Sequence, residues 1–195
     1  MRRGLISVGL FLAFVVIFTL SRHAISPTTT TTSTTSTSST TTAVTSTTGS
    51  NTCQGSDFSG VFNQGTGAAG TIYASVTLTM KSGSPCAIEG WPLLTLQDQT
   101  GAVLGVNEVT VPSATTAATF PDSRANHAPT RLSMDVGAST TFSFFYNDVP
   151  IGTTACENAT TIGVQFQKGG SSVPVTPAYA IQPCGNGRLV VSPLY

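Results

Sequence analysis

The sequence predicts an all-β fold: an antiparallel immunoglobulin-like β-sandwich of about seven to nine strands with two disulfides, preceded by a membrane anchor helix and a disordered stalk. Three observations predict it. Several short segments alternate apolar and polar residues, four cysteines follow a Thr/Ser-rich tract, and outside the N-terminal apolar run no long window keeps a helical period. We therefore divide the chain into an anchor (1–26), a stalk (27–52) and a β-sandwich domain (53–195).

Residues 1–26 are predicted to form an uncleaved signal anchor. The run Gly4–Leu20 contains 17 uncharged residues and follows Arg2 and Arg3. This length is short for a membrane helix and long for the apolar part of a signal peptide. The flank SRHAIS is a poor cleavage site, which favours an uncleaved anchor. The alternatives are a cleaved signal peptide and a buried core helix. The arginines would hold the N-terminus in the cytoplasm, which predicts a single-pass cell-membrane protein with an extracytoplasmic C-terminal domain.

Residues 27–52 are predicted to form a disordered stalk. Every residue from Thr28 to Thr42 is Thr or Ser, and no charged residue lies between Arg22 and Asp57. Such a segment has too few apolar side chains to offset the entropy lost on ordering. Tracts of this composition often carry O-glycans, but a plain tether predicts the same architecture.

The four cysteines all lie beyond the stalk and are predicted to form two disulfides outside the cytoplasm. They contain no Cys-x-x-Cys pair, so their spacing fits no zinc site. Four cysteines allow three connectivities. We predict Cys53–Cys86 and Cys156–Cys184, because each pair closes a loop of about 30 residues within one half of the domain.

Period-two alternation predicts the main strands and their buried face. The segments TIYASVTLTMK, STTFSFFYN and TIGVQFQ show it, and LLTLQDQTGAVLGV predicts a hairpin that turns between Asp98 and Gly101. VPVTPAYAI, RLVVS and a weaker segment at 57–63 add strands, whereas GTGAAG reads as a flexible approach to a strand. The residues predicted to face the core are Ile72, Ala74, Val76, Leu78, Met80, Phe142, Phe144, Tyr146, Ile162, Val164 and Phe166.

The stretch CAIEGWPLL is predicted to form a structural corner. Gly90 can adopt backbone conformations closed to other residues, and Pro92 restricts Trp91 to an extended conformation. The chain therefore turns after the disulfide and enters the strand LLTL. We expect Trp91 to pack on the disulfide or to cover one end of the sandwich. The alternative is an exposed Trp91 that stacks on a sugar or peptide ligand.

The domain resembles a known family on a set of motifs. A cysteine is followed by a small-residue run, a Cys-x-x-x-Gly-aromatic-Pro corner, a strand ending in Asp-x-x-Gly, and two more cysteines. With these motifs the chain resembles the secreted actinobacterial family catalogued as domain of unknown function 4232, over about residues 53 to 193. The resemblance implies a β-sandwich on the cell surface, usually lipid-anchored or membrane-tethered, and implies no activity. The matching residues are Cys53, Gly67–Gly70, Cys86, Gly90, Trp91, Pro92, Asp98, Gly101, Cys156 and Cys184.

The charged residues exclude several classes of function. Only 8% of the chain is charged, and from Cys53 onward five basic residues face eight acidic ones, so no basic stripe for nucleic acid exists. His127 is the one histidine of the domain, close in sequence to Asp122 and Ser123. Neighbours on one loop rarely form a catalytic triad, because its groups must be held by rigid elements. We therefore predict no catalytic residue, no metal and no cofactor.

The remaining inference is a non-catalytic interaction module. We expect the domain to bind a cell-wall glycan, a peptide or an envelope protein, with the N-terminal helix in the membrane. The alternatives are a passive structural component of the envelope and an enzyme whose chemistry the sequence does not reveal.

Overall fold

The computed structural model describes residues 51–113, 119–150, 152 and 155–195. The predicted anchor, and the stalk up to residue 50, lie outside the described residues. Within the described part, no helix is both long enough and apolar enough to span a bilayer. The strands are β1 Phe58–Asn63, β2 Gly67–Ala68, β3 Thr71–Met80, β4 Cys86–Ile88, β5 Leu93–Gln97, β6 Val103–Leu104, β7 Asn107–Thr110, β8 Leu132–Met134, β9 Ser139–Asn147, β10 Thr161–Gln165, β11 Val173–Val175 and β12 Arg188–Val191.

The larger sheet has six strands. They run in the order β1-β3-β9-β12-β7, and β2 pairs with β3. The central antiparallel pair, β3 and β9, stays in register from Thr71 opposite Asn147 to Thr79 opposite Ser139. Both strands are rich in β-branched and aromatic residues, which fit a half-buried pleated surface.

A second sheet of four strands, in the order β11-β10-β5-β6, shares one core with the larger sheet. The predicted hairpin is confirmed, since β5 pairs with β6 around the Asp98 turn. A two-stranded sheet, β4 with β8, stands beside them. The arrangement is sandwich-like. Of the residues predicted to face the core, all but Ile72 and Phe166 are buried, and these two are partly buried and pack on the same core.

The predicted all-β class with antiparallel sheets is confirmed, and the structure departs from it in two details. The described residues contain twelve strands rather than seven to nine, because β2 and β6 have two residues each and β4, β8 and β11 three each. Such short pairings leave no readable alternation in a sequence. The sheets are also not antiparallel throughout: β7 runs parallel to β12. The chain leaves the four-stranded sheet after β6 and enters the other sheet at its edge, in the direction of β12.

The Gly-rich run GTGAAG is not only an approach to a strand, as the sequence suggested. Its residues Gly67 and Ala68 form β2, and Ala69 and Gly70 make the turn into β3 with φ of 51° and 79°. Two consecutive positive φ values are typical of the turns that join tight hairpins. The run is therefore a hairpin with small residues where the turn needs them.

The described helices are single turns. Gly55–Asp57 and Ser123–Asn126 are 3-10 helices. Cys184–Gly187 is a left-handed turn, because Gly185, Asn186 and Gly187 have φ of 64°, 61° and 68°. Glycine and asparagine tolerate this region best, which explains the sequence CGNG.

The predicted disulfide pairing is confirmed. Cys53 is bonded to Cys86, and Cys156 to Cys184. The first disulfide fixes the start of the domain to β4, where the Cys53 N–H also donates to the Ala87 carbonyl. The second adjoins the left-handed turn that leads into β12. The described residues contain no free cysteine.

Candidate binding cleft

The outer face of the six-stranded sheet, opposite the core, divides into two halves. One half is a row of hydroxyl side chains on β3 and β9, which we call the hydroxyl ladder: Ser75, Thr77, Thr79, Ser139 and Thr141. Hydrogen bonds cross the two strands, at 3.2 Å between the Thr77 and Thr141 hydroxyls and 2.8 Å between those of Thr79 and Ser139. From β1, Asn63 donates to Thr77 at 2.9 Å.

The other half of the outer face is aromatic. Tyr73 on β3 lies directly opposite Phe145 on β9, with ring centroids 5.2 Å apart. Phe120 packs on Phe145 from above, at 5.6 Å. Phe120, Val111, Ala125 and Val190 are buried in this second, smaller core. These apolar rings lie on the outward face of the sheet, and residues 119–127, which we call the cover segment, pack over them and shield them from water.

This cover segment is fixed by its own polar side chains. Asn126 pairs with the Phe120 backbone in both directions: its Oδ1 accepts from the Phe120 N–H at 2.8 Å, and its Nδ2 donates to the Phe120 carbonyl at 2.9 Å. Asp122 caps the 3-10 helix by accepting from the Arg124 N–H. These bonds close a compact loop that holds the Phe120 ring against the sheet.

A polar cluster joins the cover segment to the sheet. Asp122 accepts from the Arg124 guanidinium at 2.7 Å, and the Tyr195 hydroxyl lies 3.3 Å from Asp122 and 2.8 Å from the Ser143 hydroxyl. The Arg124 side chain also stacks over the Tyr195 ring, 5.1 Å from its centroid. Hydrogen bonding from Arg124 lowers the pKa of Asp122, whereas burial raises the pKa of Tyr195. At neutral pH the cluster therefore holds an ionised carboxylate and a neutral phenol.

A cleft of about 210 Å³ opens between the cover segment and the sheet. Its walls combine aromatic surface with uncharged hydrogen-bonding groups, and its single ionisable carboxylate, that of Asp122, is already paired with Arg124. The side chains that give the cleft this character are Asn63, Gln64, Thr66, Tyr73, Ser75, Phe120 and Ser143. A cleft with aromatic walls and a few neutral polar groups is typical of a binding site for an uncharged polar ligand.

The predicted corner lies next to the second core. Gly90 has a φ of 95°, the conformation that the sequence required of it. The Trp91 ring is half-buried, and its indole N–H donates to the Val111 carbonyl at 3.1 Å. Pro92 is buried, and the Leu194 N–H donates to the Gly90 carbonyl. The corner therefore contacts β7's end and the last residues of the chain, and these contacts favour the structural role of Trp91 over ligand stacking.

The rejected catalytic triad has no geometry to support it. Asp122 is engaged by Arg124 and Tyr195, Ser123 is exposed, and the exposed His127 follows the 3-10 helix. Within the described residues, no group of three or more His, Cys, Asp or Glu side chains is arranged to hold a metal ion.

Sequence reasoning missed the residues that form the cleft, although a signal for them was present. Tyr73 and Phe145 occupy the positions that period-two alternation assigns to water. Two aromatic rings facing each other on a wet face predict that something covers them. Tyr195, Ser143 and Asp122 gave no such signal, because only the folded chain brings them together.

Comparison with known proteins places the chain in a family. No curated protein and no solved structure matches it. A family model described as "Domain of unknown function (DUF4232)" matches residues 53–195, which covers both disulfides, the corner and all twelve strands. The chain therefore belongs to the DUF4232 family.

Proposed function

We propose that the domain is a non-catalytic, immunoglobulin-like β-sandwich that binds a neutral glycan of the cell envelope, carried outside the cytoplasm by the N-terminal anchor and stalk. Two disulfides support an oxidising compartment, and the Thr/Ser-rich tract supports a stalk. The observation that carries the proposal is the cleft beneath the cover segment, where aromatic rings and uncharged polar side chains converge.

The chemistry of the cleft suits a sugar. A pyranose presents C–H groups on its faces and hydroxyls at its edge, so it pairs with an aromatic wall and with amide or hydroxyl side chains. Tyr73 and Phe120 provide the wall, and Asn63, Gln64 and Thr66 provide the polar rim. The side chains that line the cleft include no lysine or arginine, which favours a neutral ligand over a phosphorylated or otherwise anionic one.

The hydroxyl ladder extends the cleft along the strands. Its pairs are bonded to each other, but a hydroxyl has one donor and two acceptor positions, so each retains capacity for a further partner. β3 has ten residues and spans roughly 33 Å, long enough for several sugar units of a polymer. The ladder thus favours a glycan chain over a single sugar.

A binding experiment with matched glutamines tests the proposal. Gln64 and Gln99 are both exposed; Gln64 lines the cleft, and Gln99 lies in the β5–β6 turn of the other sheet. We expect the full-length chain in detergent to co-sediment with purified, deproteinised cell-wall polysaccharide. Gln64→Ala should weaken this binding about threefold to tenfold, and Gln99→Ala should not. Equal binding by both variants would place the glycan elsewhere, and no binding at all would favour the passive structural role.

A further inference from the structure

A second groove lies on the other side of the polar cluster, and unlike the cleft it is lined by basic side chains. Its volume is about 330 Å³, and its surface is mostly apolar. Three segments line it: the 3-10 helix with the residues that follow it, β8, and residues 193–195. The groove is lined by Arg124, His127, Ala128, Thr130, Leu132, Pro193, Leu194 and Tyr195.

Two basic side chains, Arg124 and His127, line this groove. From Cys53 onward the net charge is −3, five basic minus eight acidic residues. Two of those five, Arg124 and Arg131, together with the domain's one histidine, fall within eight consecutive residues. Asp122 neutralises part of this charge through Nε and Nη2 of Arg124. Nη1 of Arg124 makes no hydrogen bond within the described part of the chain, so it can take a further anionic partner.

The backbone of the groove also has free hydrogen-bonding groups. Residues 128–130 lie between the 3-10 helix and β8, are partly or fully exposed, and make no backbone hydrogen bond to other described residues. Pro129 has no N–H, so the free backbone donors are the N–H groups of Ala128 and Thr130. Unpaired backbone groups of an exposed segment can bond to the backbone of an added peptide, while neighbouring pockets accept its side chains. An open groove bounded by exposed residues suits an extended peptide better than an acyl chain, which needs an enclosed cavity.

We propose that this groove binds the C-terminal end of an extended peptide or protein, with the terminal carboxylate at Arg124 and His127 and the last, apolar side chain against Leu132 and Pro193. A C-terminal residue carries a carboxylate and a side chain on one Cα atom, which fits a groove that is lined by both basic and apolar side chains. The site is separate from the glycan cleft, because the residues that line the groove and those that line the cleft do not overlap.

A pair of peptides tests the terminal carboxylate. The probe is a dye-labelled peptide of uncharged residues that ends in leucine with a free carboxylate, and its twin is identical except for a C-terminal amide. Fluorescence anisotropy with the full-length protein in detergent should show that the amidated twin binds at least about tenfold more weakly, because it loses a charge-assisted hydrogen bond. Equal affinity for the two, or no binding of the first, would overturn the proposal. Displacement of the probe by oleate but not by unlabelled peptide would assign the groove to an acyl chain instead.

Charge substitutions at one alanine test the location. Ala128 is exposed and lines the groove, and Ala180 is exposed elsewhere on the domain. Ala128→Glu should weaken probe binding at least about fivefold, whereas Ala128→Lys should not weaken it and Ala180→Glu should leave it unchanged. A thermal melt of each variant shows that the fold is retained. Equal loss with Glu and Lys would indicate a steric effect and would contradict the electrostatic argument; full retention with Glu would place the peptide elsewhere.

Discussion

The inner and outer faces of the six-stranded sheet are built from the same strands but differ in what their side chains contact. On the inner face of β9, Phe142 and Phe144 are fully buried, and adjacent rings along the strand lie 6.1 to 6.3 Å apart. On the outer face of the same strand, Thr141 and Ser139 bond to neighbouring hydroxyls, and Phe145 is covered by a loop. The inner face is a continuous apolar core, whereas the outer face combines an aromatic half beneath a cover with a half of hydrogen-bonded hydroxyls.

The largest expected effect comes from the inner face. Phe144 is fully buried and contacts the rings of Phe62, Phe142 and Tyr146. We expect Phe144→Ala to lower the free energy of unfolding by about 3–5 kcal/mol, because it removes a large apolar side chain and leaves a cavity. The matched control is Phe145→Ala, because Phe145 is the chain neighbour and is half-buried beneath the cover segment. This substitution should lower the free energy of unfolding by about half as much. Chemical denaturation with disulfides intact measures both, and a larger loss at Phe145 would reverse the comparison.

A smaller effect is expected where the corner supports the outer layer. Trp91 is half-buried, and its N–H bond holds the Val111 carbonyl beside the second core. We expect Trp91→Ala to cost about 2–3 kcal/mol, less than a fully buried aromatic, through lost packing and an unpartnered carbonyl. Trp91→Phe keeps most of the ring and should cost about 1 kcal/mol. A Trp91→Ala protein that melts like wild type would instead indicate a ligand contact at this residue.

One charged side chain, that of Glu108, is partly buried and forms a hydrogen bond between the two sheets. Glu108 on β7 accepts a hydrogen bond from the Leu94 N–H of β5 at 2.9 Å, beyond the end of the short β6. Burial raises the pKa of Glu108. Glu108→Ala should cost about 1–3 kcal/mol, because it leaves that buried N–H without a partner. Glu108→Gln keeps an acceptor and should cost much less.

The pH dependence of stability separates the hydrogen bond that Glu108 accepts from the cost of burying its charge. Because its folded pKa lies above the unfolded value, protonation favours the folded state. Its contribution is therefore fully present below the unfolded pKa and is lost as the pH rises through the folded pKa. We therefore expect the free energies of unfolding of wild type and Glu108→Gln, measured from about pH 4 to 7, to be closest at acid pH. As the pH rises, wild type should lose stability relative to Glu108→Gln. Parallel curves across the range would show that Glu108 titrates alike in both states.

The comparison also explains which parts of the fold the sequence could predict. Val76, Leu78 and Met80 bury every second residue of a long strand, so local alternation defined the inner face. The parallel pairing of β7 depends instead on contacts with β12, about 80 residues later in the chain, and its four residues show no alternation. The close approach of Gly187 to Gly105 is equally non-local, since a side chain at Gly187 would collide with the Gly105 carbonyl. The cleft is also non-local, because residues 63–66, 73–75, 120–122 and 143 line it together.

On the hydroxyl ladder, a substitution should have the smallest effect on stability and still weaken binding. Thr77→Val keeps the β-branched shape that suits a strand but removes the hydroxyl that accepts from Asn63 and pairs with Thr141. Because the ladder is partly solvated, we expect the free energy of unfolding to change by less than about 1 kcal/mol. The glycan proposal expects co-sedimentation with wall polysaccharide to fall severalfold in the same variant, since an apolar methyl cannot bond a sugar hydroxyl. Thr161→Val, at a half-buried position in β10 of the other sheet, is the control and should leave binding intact. If Thr77→Val weakened folding more than Phe145→Ala while binding was unchanged, the ladder would be a structural feature of the sheet, and the functional distinction between the two faces would fail.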